Sequence, residues 1–224
     1  MAVAAPTAAA KPAAAAKPAA AAKPAAQPEP VPPKFGEEEP ETAEAERRSG
    51  FMVGVSLGLG PGASNGYPND PRKIGRRDFY TESGVGLGSY GALWLGGALA
   101  DGFSFGIGFG VGDITAGDTK SPAGGVLFHA DAYPLYSLGD AWRDIGIAVE
   151  GGTGGATTVD AKDDQIVFID GAGAGYVSAG VFWEGLSLWK LRSGPFVGGH
   201  YMFSETVRRP MLLVGFRTAL YTGP

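Results

Sequence analysis

Cysteine is absent from the 224 residues. This excludes a disulfide framework, Cys-ligated zinc, thiol catalysis and a lipid-modified N-terminal Cys. Nor is there any run approaching the roughly 18 apolar residues that a transmembrane helix needs. Basic excess is missing as well: the formal net charge is −5, and no stretch has the footprint of a nucleic-acid binder. The first residues, MAVAAPTAAAKP, offer no basic n-region and no Leu-rich core before Pro6. An export signal, if the chain is secreted, is therefore expected upstream of Met1.

A shortage of glycine marks the first boundary. Residues 1–50 hold 9 of the 17 Pro but only 2 of the 38 Gly. From Lys11 the chain repeats KPAAAA with Pro12, Pro18 and Pro24 in phase. A Pro every sixth residue removes a donor and clashes with the preceding turn, so polyproline II and coil are expected rather than helix. An acidic run, Glu37 to Glu39 with Glu41, Glu44 and Glu46, follows. Such a segment cannot bury a core, and residues 1–49 read as a disordered Ala/Pro/Lys-rich linker. Lys11, Lys17 and Lys23 are evenly spaced for contact with a cell-wall polymer; a linker without any binding role is the other reading.

Beyond Gly50 the pattern acquires a period of two. FMVGVSLGLG sets Phe51, Val53, Val55, Leu57 and Leu59 on one face, with Met52, Gly54, Ser56, Gly58 and Gly60 on the other. FSFGIGFGVG sets Phe103, Phe105, Ile107, Phe109 and Val111 against Ser104, Gly106, Gly108 and Gly110. Alternation over ten residues is a strand. Six further segments read the same way, near 84–99, 125–136, 144–155, 174–185, 195–204 and 211–221, which makes eight. The links between them are expected to alternate: long (61–83), short (100–102), long (113–124), short (137–143), long (156–173), short (186–194) and moderate (205–210).

The face opposite the apolar one decides between a soluble and a membrane barrel. A soluble barrel must coat its outside with polar side chains, but here that face is mostly Gly, Ala and Ser. The pattern therefore predicts residues 50–224 as an all-β, eight-stranded antiparallel up-and-down transmembrane β-barrel, apolar face to lipid and small face to a narrow lumen. Aromatics near the expected strand ends (Phe79, Tyr80, Phe103, Tyr133, Tyr136, Trp142, Trp183, Trp189 and Tyr221) suit interfacial girdles. This part of the chain resembles the small bacterial outer-membrane β-barrels, the OmpA-like transmembrane domain and its OmpX- and OmpW-like relatives, in pattern and topology. The resemblance implies an outer-membrane location with long loops outside and the tail in the periplasm. It departs at the C-terminus, where Tyr221 is followed by Thr222-Gly223-Pro224 and Thr218 stands where a large apolar residue is usual.

If the apolar residues face lipid, then His129, Asp131, Glu150, Glu184, His200 and Arg217 point inward. Isolated buried charges are costly, so a network is expected, with Glu150 as an across-lumen partner of Arg217. An ion-paired plug is the plain reading and a gated pore the sharper one. His129, Asp131 and a nearby Ser178 would suit a lipid hydrolase, but no G-x-S-x-G is present. Arg72, Lys73, Arg76 and Arg77 in the first loop are candidates for lipopolysaccharide phosphates; a solvated loop is the alternative. Asp160, Asp163, Asp164 and Asp170 match no calcium-loop spacing, and no metal is expected. Gly106, Gly108, Gly110 and the GAGAG of 171–175 are strand glycines, since no helix follows them.

The functional expectation is a monomeric, non-enzymatic barrel without a cofactor. Its role would be structural, in envelope integrity or in surface interaction, among outer-membrane lipid and lipopolysaccharide. A lipocalin-like soluble barrel carrying a small apolar ligand, and a lipid-modifying membrane enzyme, are the alternatives.

Overall fold

The computed structural model describes residues 48–139 and 142–223. The expected linker lies outside these residues except for its last two, Arg48 and Ser49. Nine strands occur among the described residues: β1 (Gly50–Gly66), β2 (Thr81–Ala100), β3 (Phe103–Ala116), β4 (Thr119–Ala132), β5 (Ile145–Asp160), β6 (Val167–Trp183), β7 (Leu186–Leu188), β8 (Leu191–Phe203) and β9 (Val207–Tyr221). Each long strand pairs antiparallel with the next, and β6 pairs directly with β8. The last strand returns to the first, from Met52↔Tyr221 to Gly66↔Val207, and closes the ring. Eight long strands thus form the barrel. The ninth, β7, is a three-residue hairpin arm on β8 where a turn was expected.

Closure gives each long strand a neighbour on both sides, which a lipid environment requires. The period of two then sorts side chains by face. Leu57, Leu87, Phe109, Phe128, Leu212 and Val214 stand exposed on the outer wall, while Met52, Trp94, Leu127, Met202 and Leu213 are buried within. An exterior of Leu, Val, Ile and Phe is incompatible with water and compatible with hydrocarbon. This is a transmembrane β-barrel of the outer-membrane type.

The small inner face makes room for large side chains. A Cβ on Gly54 would collide with the Trp94 ring, one on Gly146 with Phe182, and one on Gly110 with the Tyr90 hydroxyl. Large and empty positions on neighbouring strands interlock, so a narrow lumen holds Trp, Tyr and Phe without widening.

The connections differ from expectation. The supposed long loop at 113–124 is a two-residue turn at Gly117-Asp118, with Gly117 in the left-handed region such a turn demands (φ 57°). The first loop shrinks to residues 67–80, and the third to 161–166. Polar residues beyond the apolar belt looked like loop, yet backbone pairing continues through them, for example Asp113↔Pro122 and Thr119↔Asp160. The longest link on the termini side, 133–144, was expected to be short. Two aromatics assigned to the girdle, Tyr133 and Tyr221, are instead buried inside the barrel.

Candidate functional site

Apart from Arg209, the interior charges converge at the half of the lumen that carries both termini. Asp131 on β4 and Arg217 on β9 face each other across the lumen. Arg217 Nη1 and Nη2 donate to the two carboxylate oxygens of Asp131, each at 2.8 Å. The same guanidinium places Nε 3.0 Å from Glu184 Oε1 and lies 3.7 Å above the centre of the Phe182 ring. Asp131 also accepts from Ser104 Oγ at 3.1 Å. Asp131 and Glu184 have no solvent exposure at all. Bidentate, charge-assisted geometry of this kind is what offsets the cost of desolvating an ion pair.

His129 extends the cluster. Its Nδ1 lies 3.0 Å from Glu150 Oε1 and its Nε2 3.0 Å from Asp131 Oδ1, while its ring stacks on Trp94 at 4.0 Å between centroids. Carboxylates on both nitrogens call for two N–H donors, the arrangement of an imidazolium. Glu150 is completed by the Tyr90 hydroxyl, which donates to Oε2 at 3.1 Å. Glu150 is therefore the partner of His129, and Arg217 takes Asp131 and Glu184. Sequence order could suggest an acid across the lumen but could not choose between them, because register and shear place Arg217 beside β4.

The termini end is capped by a residue assigned to the linker. Arg48 is buried, with Nη2 2.7 Å from Asp144 Oδ1, Nε 3.5 Å from Glu184 Oε2 and its guanidinium 3.8 Å above the Tyr133 ring. Its backbone N–H donates to Asp101 Oδ1, and Arg143 Nη2 donates to the other oxygen of Asp101 at 2.9 Å. The hydroxyls of Tyr133 and Tyr221 both donate to Glu184 Oε2, at 2.9 and 3.2 Å. Arg48 carried no sequence signal, since it follows a low-complexity run. Tyr90 and Trp94 did, because their parity on β2 opposes that of Leu93 and Leu95.

His200 stands apart from this cluster, packed between Tyr90 (4.6 Å) and Tyr176 (5.1 Å). Ser178 pairs in register with Glu150 and His200, yet among the described residues no hydroxyl nucleophile bonds to His129, whose nitrogens are both committed to carboxylates. A Ser/His/Asp relay is not assembled. The interior space beside Trp94, His129 and Glu150 measures about 30 Å³, and that beside Tyr176, His200 and Arg209 about 10 Å³. Neither approaches the few hundred Å³ of a small-molecule pocket, and the apolar faces point outward, so the lipocalin-like arrangement is not the one observed.

The opposite end is finished with a layer of hydroxyls and one buried cation, Arg209. Ser64 Oγ and Thr158 Oγ1 are 2.7 Å apart, Thr158 donates to Ser121 Oγ at 3.2 Å, and Arg209 Nη2 donates to Ser121 O at 3.2 Å. Arg72, Arg76 and Arg77 lie exposed in the first loop, and Lys73 reaches Asp70 at 3.6 Å. Asp160 and Asp163 accept turn N–H groups and Asp170 accepts from Ala172 N, and no metal-ligating cluster forms among the described residues.

No family model matches this chain, and no curated protein does. Two of the solved structures similar to it illustrate the likeness. Neisserial surface protein A shares 12% identity at a TM-score of 0.41, covering 75% of this chain and 95% of that one. The outer membrane protein OprG from Pseudomonas aeruginosa shares 10% identity at a TM-score of 0.37, covering 78% of this chain and 98% of that one.

Proposed function

We propose that this protein is a sealed, non-enzymatic barrel of the bacterial outer membrane, serving the envelope as a rigid scaffold with its termini, and the linker before them, in the periplasm. The observation that carries this reading is the Asp131–Arg217–Glu184 cluster, which joins β4, β9 and the end of β6 across the lumen without solvent exposure. Trp94 and Phe182 pack on the same guanidinium, 5.2 and 3.7 Å from it, so charge and aromatic bulk close the same level of the lumen. An even count of long strands supports a common side for both termini, and the apolar outer wall supports residence in hydrocarbon.

The test is reconstitution of the full chain in planar bilayers, beside a gel of unheated and boiled samples. Heat-modifiable mobility with no discrete conductance is the expected result. Steady ohmic channels from the wild-type protein would replace the scaffold reading with a pore. Phospholipid or lipid A turnover that disappears in His129→Asn would replace it with an enzyme.

A further inference from the structure

We infer that the barrel mouth away from the termini carries a binding cleft for a phosphorylated sugar, held by Arg77 and Arg208 against an aromatic wall of Tyr67 and Tyr80. The cleft measures about 330 Å³ and lies between the first loop and the β8–β9 turn. This inference rests on the proposed orientation, in which that mouth faces outward.

The aromatic wall comes from two residues at opposite ends of the first loop, whose rings sit 5.0 Å apart at 59°. Both rings line the cleft and offer it apolar surface on which pyranose C–H groups can pack. Arg77 and Arg208 are both exposed, and among the described residues neither has a carboxylate partner. Guanidinium forks match the oxygens of a phosphate in pairs. Glu205 and Asn65 also line the cleft and offer acceptors and donors for sugar hydroxyls.

The frame around the cleft is fixed before any ligand arrives. Tyr67 N donates to Thr206 O at 2.8 Å and Asp170 N to Tyr67 O at 3.3 Å, tying the ends of β1, β6 and β9 together. Thr206 N and Val207 N both donate to Ser204 Oγ at 3.1 Å and lock the turn below. A prearranged cleft avoids the ordering cost that a floppy loop would meet on binding. The loop carries Arg72, Lys73, Arg76 and Arg77 against Asp70 and Asp78, whereas the far rim carries Asp118, Asp160, Asp163 and Asp164 against Lys120 and Lys162. The loop side of the mouth is therefore the more favourable one for anions.

Height selects the source. Arg208 pairs across the ladder with Phe203, whose ring stacks on Tyr201 at 5.7 Å on the outer wall. Aromatic residues at that position mark the headgroup level. The cleft thus opens where a lipid-anchored sugar phosphate in the same leaflet, as in lipopolysaccharide, presents its charge.

The test uses the full chain refolded in detergent or nanodiscs, with heat-modifiable mobility confirming folding. Glucosamine 6-phosphate, plain glucosamine, inorganic phosphate and lipid A in nanodiscs are titrated and followed by calorimetry. Glucosamine 6-phosphate or lipid A is expected to bind at least about tenfold tighter than glucosamine, with that gain lost in Arg77→Ala/Arg208→Ala. Tyr67→Ala/Tyr80→Ala is expected to lower sugar-phosphate affinity to that of inorganic phosphate. Should the alanine pair perturb folding, Arg77→Gln/Arg208→Gln takes its place. Lipid A binding far tighter than the free sugar phosphate supports the lipid-anchored source; equal affinity keeps the cleft and assigns a soluble sugar phosphate. Unchanged binding in the arginine variants, or no preference for the phosphorylated sugar, overturns the inference. Bilayer conductance is independent of these titrations, so the scaffold reading and the cleft stand or fall separately.

Discussion

At the end of the barrel that holds Gly50 and Tyr221, each carboxylate inside the lumen meets a cation or a hydroxyl: Asp131 and Glu184 on Arg217, Glu150 on His129, Asp144 on Arg48. At the other end a hydroxyl ladder of Ser64, Thr158 and Ser121 fills the interior beside the buried Arg209, and further charges stand on the rim, at Arg77 and Arg208. The difference follows from solvent. A charge taken out of water must be neutralised where it lies, or it costs several kcal/mol. A charge on the rim is screened and gains little from a permanent partner, so it is available to a ligand. Arg209 lies outside this rule: it is buried at the second end, and its Nη2 donates to the Ser121 carbonyl.

The largest expected effect breaks the saturated end. Asp131→Ala leaves Arg217 with Glu184 alone and strips His129 of one acceptor, at about 3–5 kcal/mol, the usual cost of breaking a buried pair. Arg208→Ala at the opposite rim is expected to change stability by less than about 0.5 kcal/mol. Urea unfolding of both variants in the same lipid measures the contrast. Similar losses for the two would mean that the cluster is not desolvated in the membrane-embedded protein.

Much of this division could be read from alternation alone. The parity of Phe51, Leu57, Phe105 and Phe109 fixes which face meets lipid, and hence that His129, Asp131 and Arg217 look inward. Which acid meets which base could not be read, because it depends on strand shear; Glu184 reaches Arg217 from just past the end of β6, a distance of 33 residues in sequence. Arg48 was invisible for another reason: its role as a cap exists only once Tyr133 and Asp144 are in place. Loop lengths are not legible in the sequence because a polar residue does not end a strand. Backbone pairing has no need of apolar side chains, so β3 and β4 run on to a two-residue turn.

A smaller effect sharpens how the saturated end is packed. Gly54 lies under the Trp94 ring, which stacks on His129 and therefore sets the position of the charge cluster. Gly54→Val is expected to cost about 1–3 kcal/mol by overpacking. Combining it with Trp94→Leu, which vacates the socket, should recover part of that loss. Additive losses in the double variant, measured by the same urea titration, would show that Gly54 serves strand closure rather than the tryptophan.

The smallest effect probes the hydroxyl layer of the other end. Thr158→Val removes the hydroxyl that donates to Ser121 and faces Ser64, at about 1 kcal/mol, the net worth of an uncharged hydrogen bond. The loss comes mainly from the two serines left behind, both buried. Replacing all three, as Ser64→Ala/Thr158→Val/Ser121→Ala, removes the stranded partners and should bring stability back toward wild type. Arg209 bonds to the Ser121 carbonyl and not to its hydroxyl, so the triple variant leaves that contact in place. Recovery in the triple variant would make this layer exchangeable filling, in contrast to the cluster below it. A triple variant weaker than Thr158→Val alone would show that the hydroxyls also hold β1, β4 and β5 in register, and the two ends would then differ in charge but not in how much of the fold depends on them.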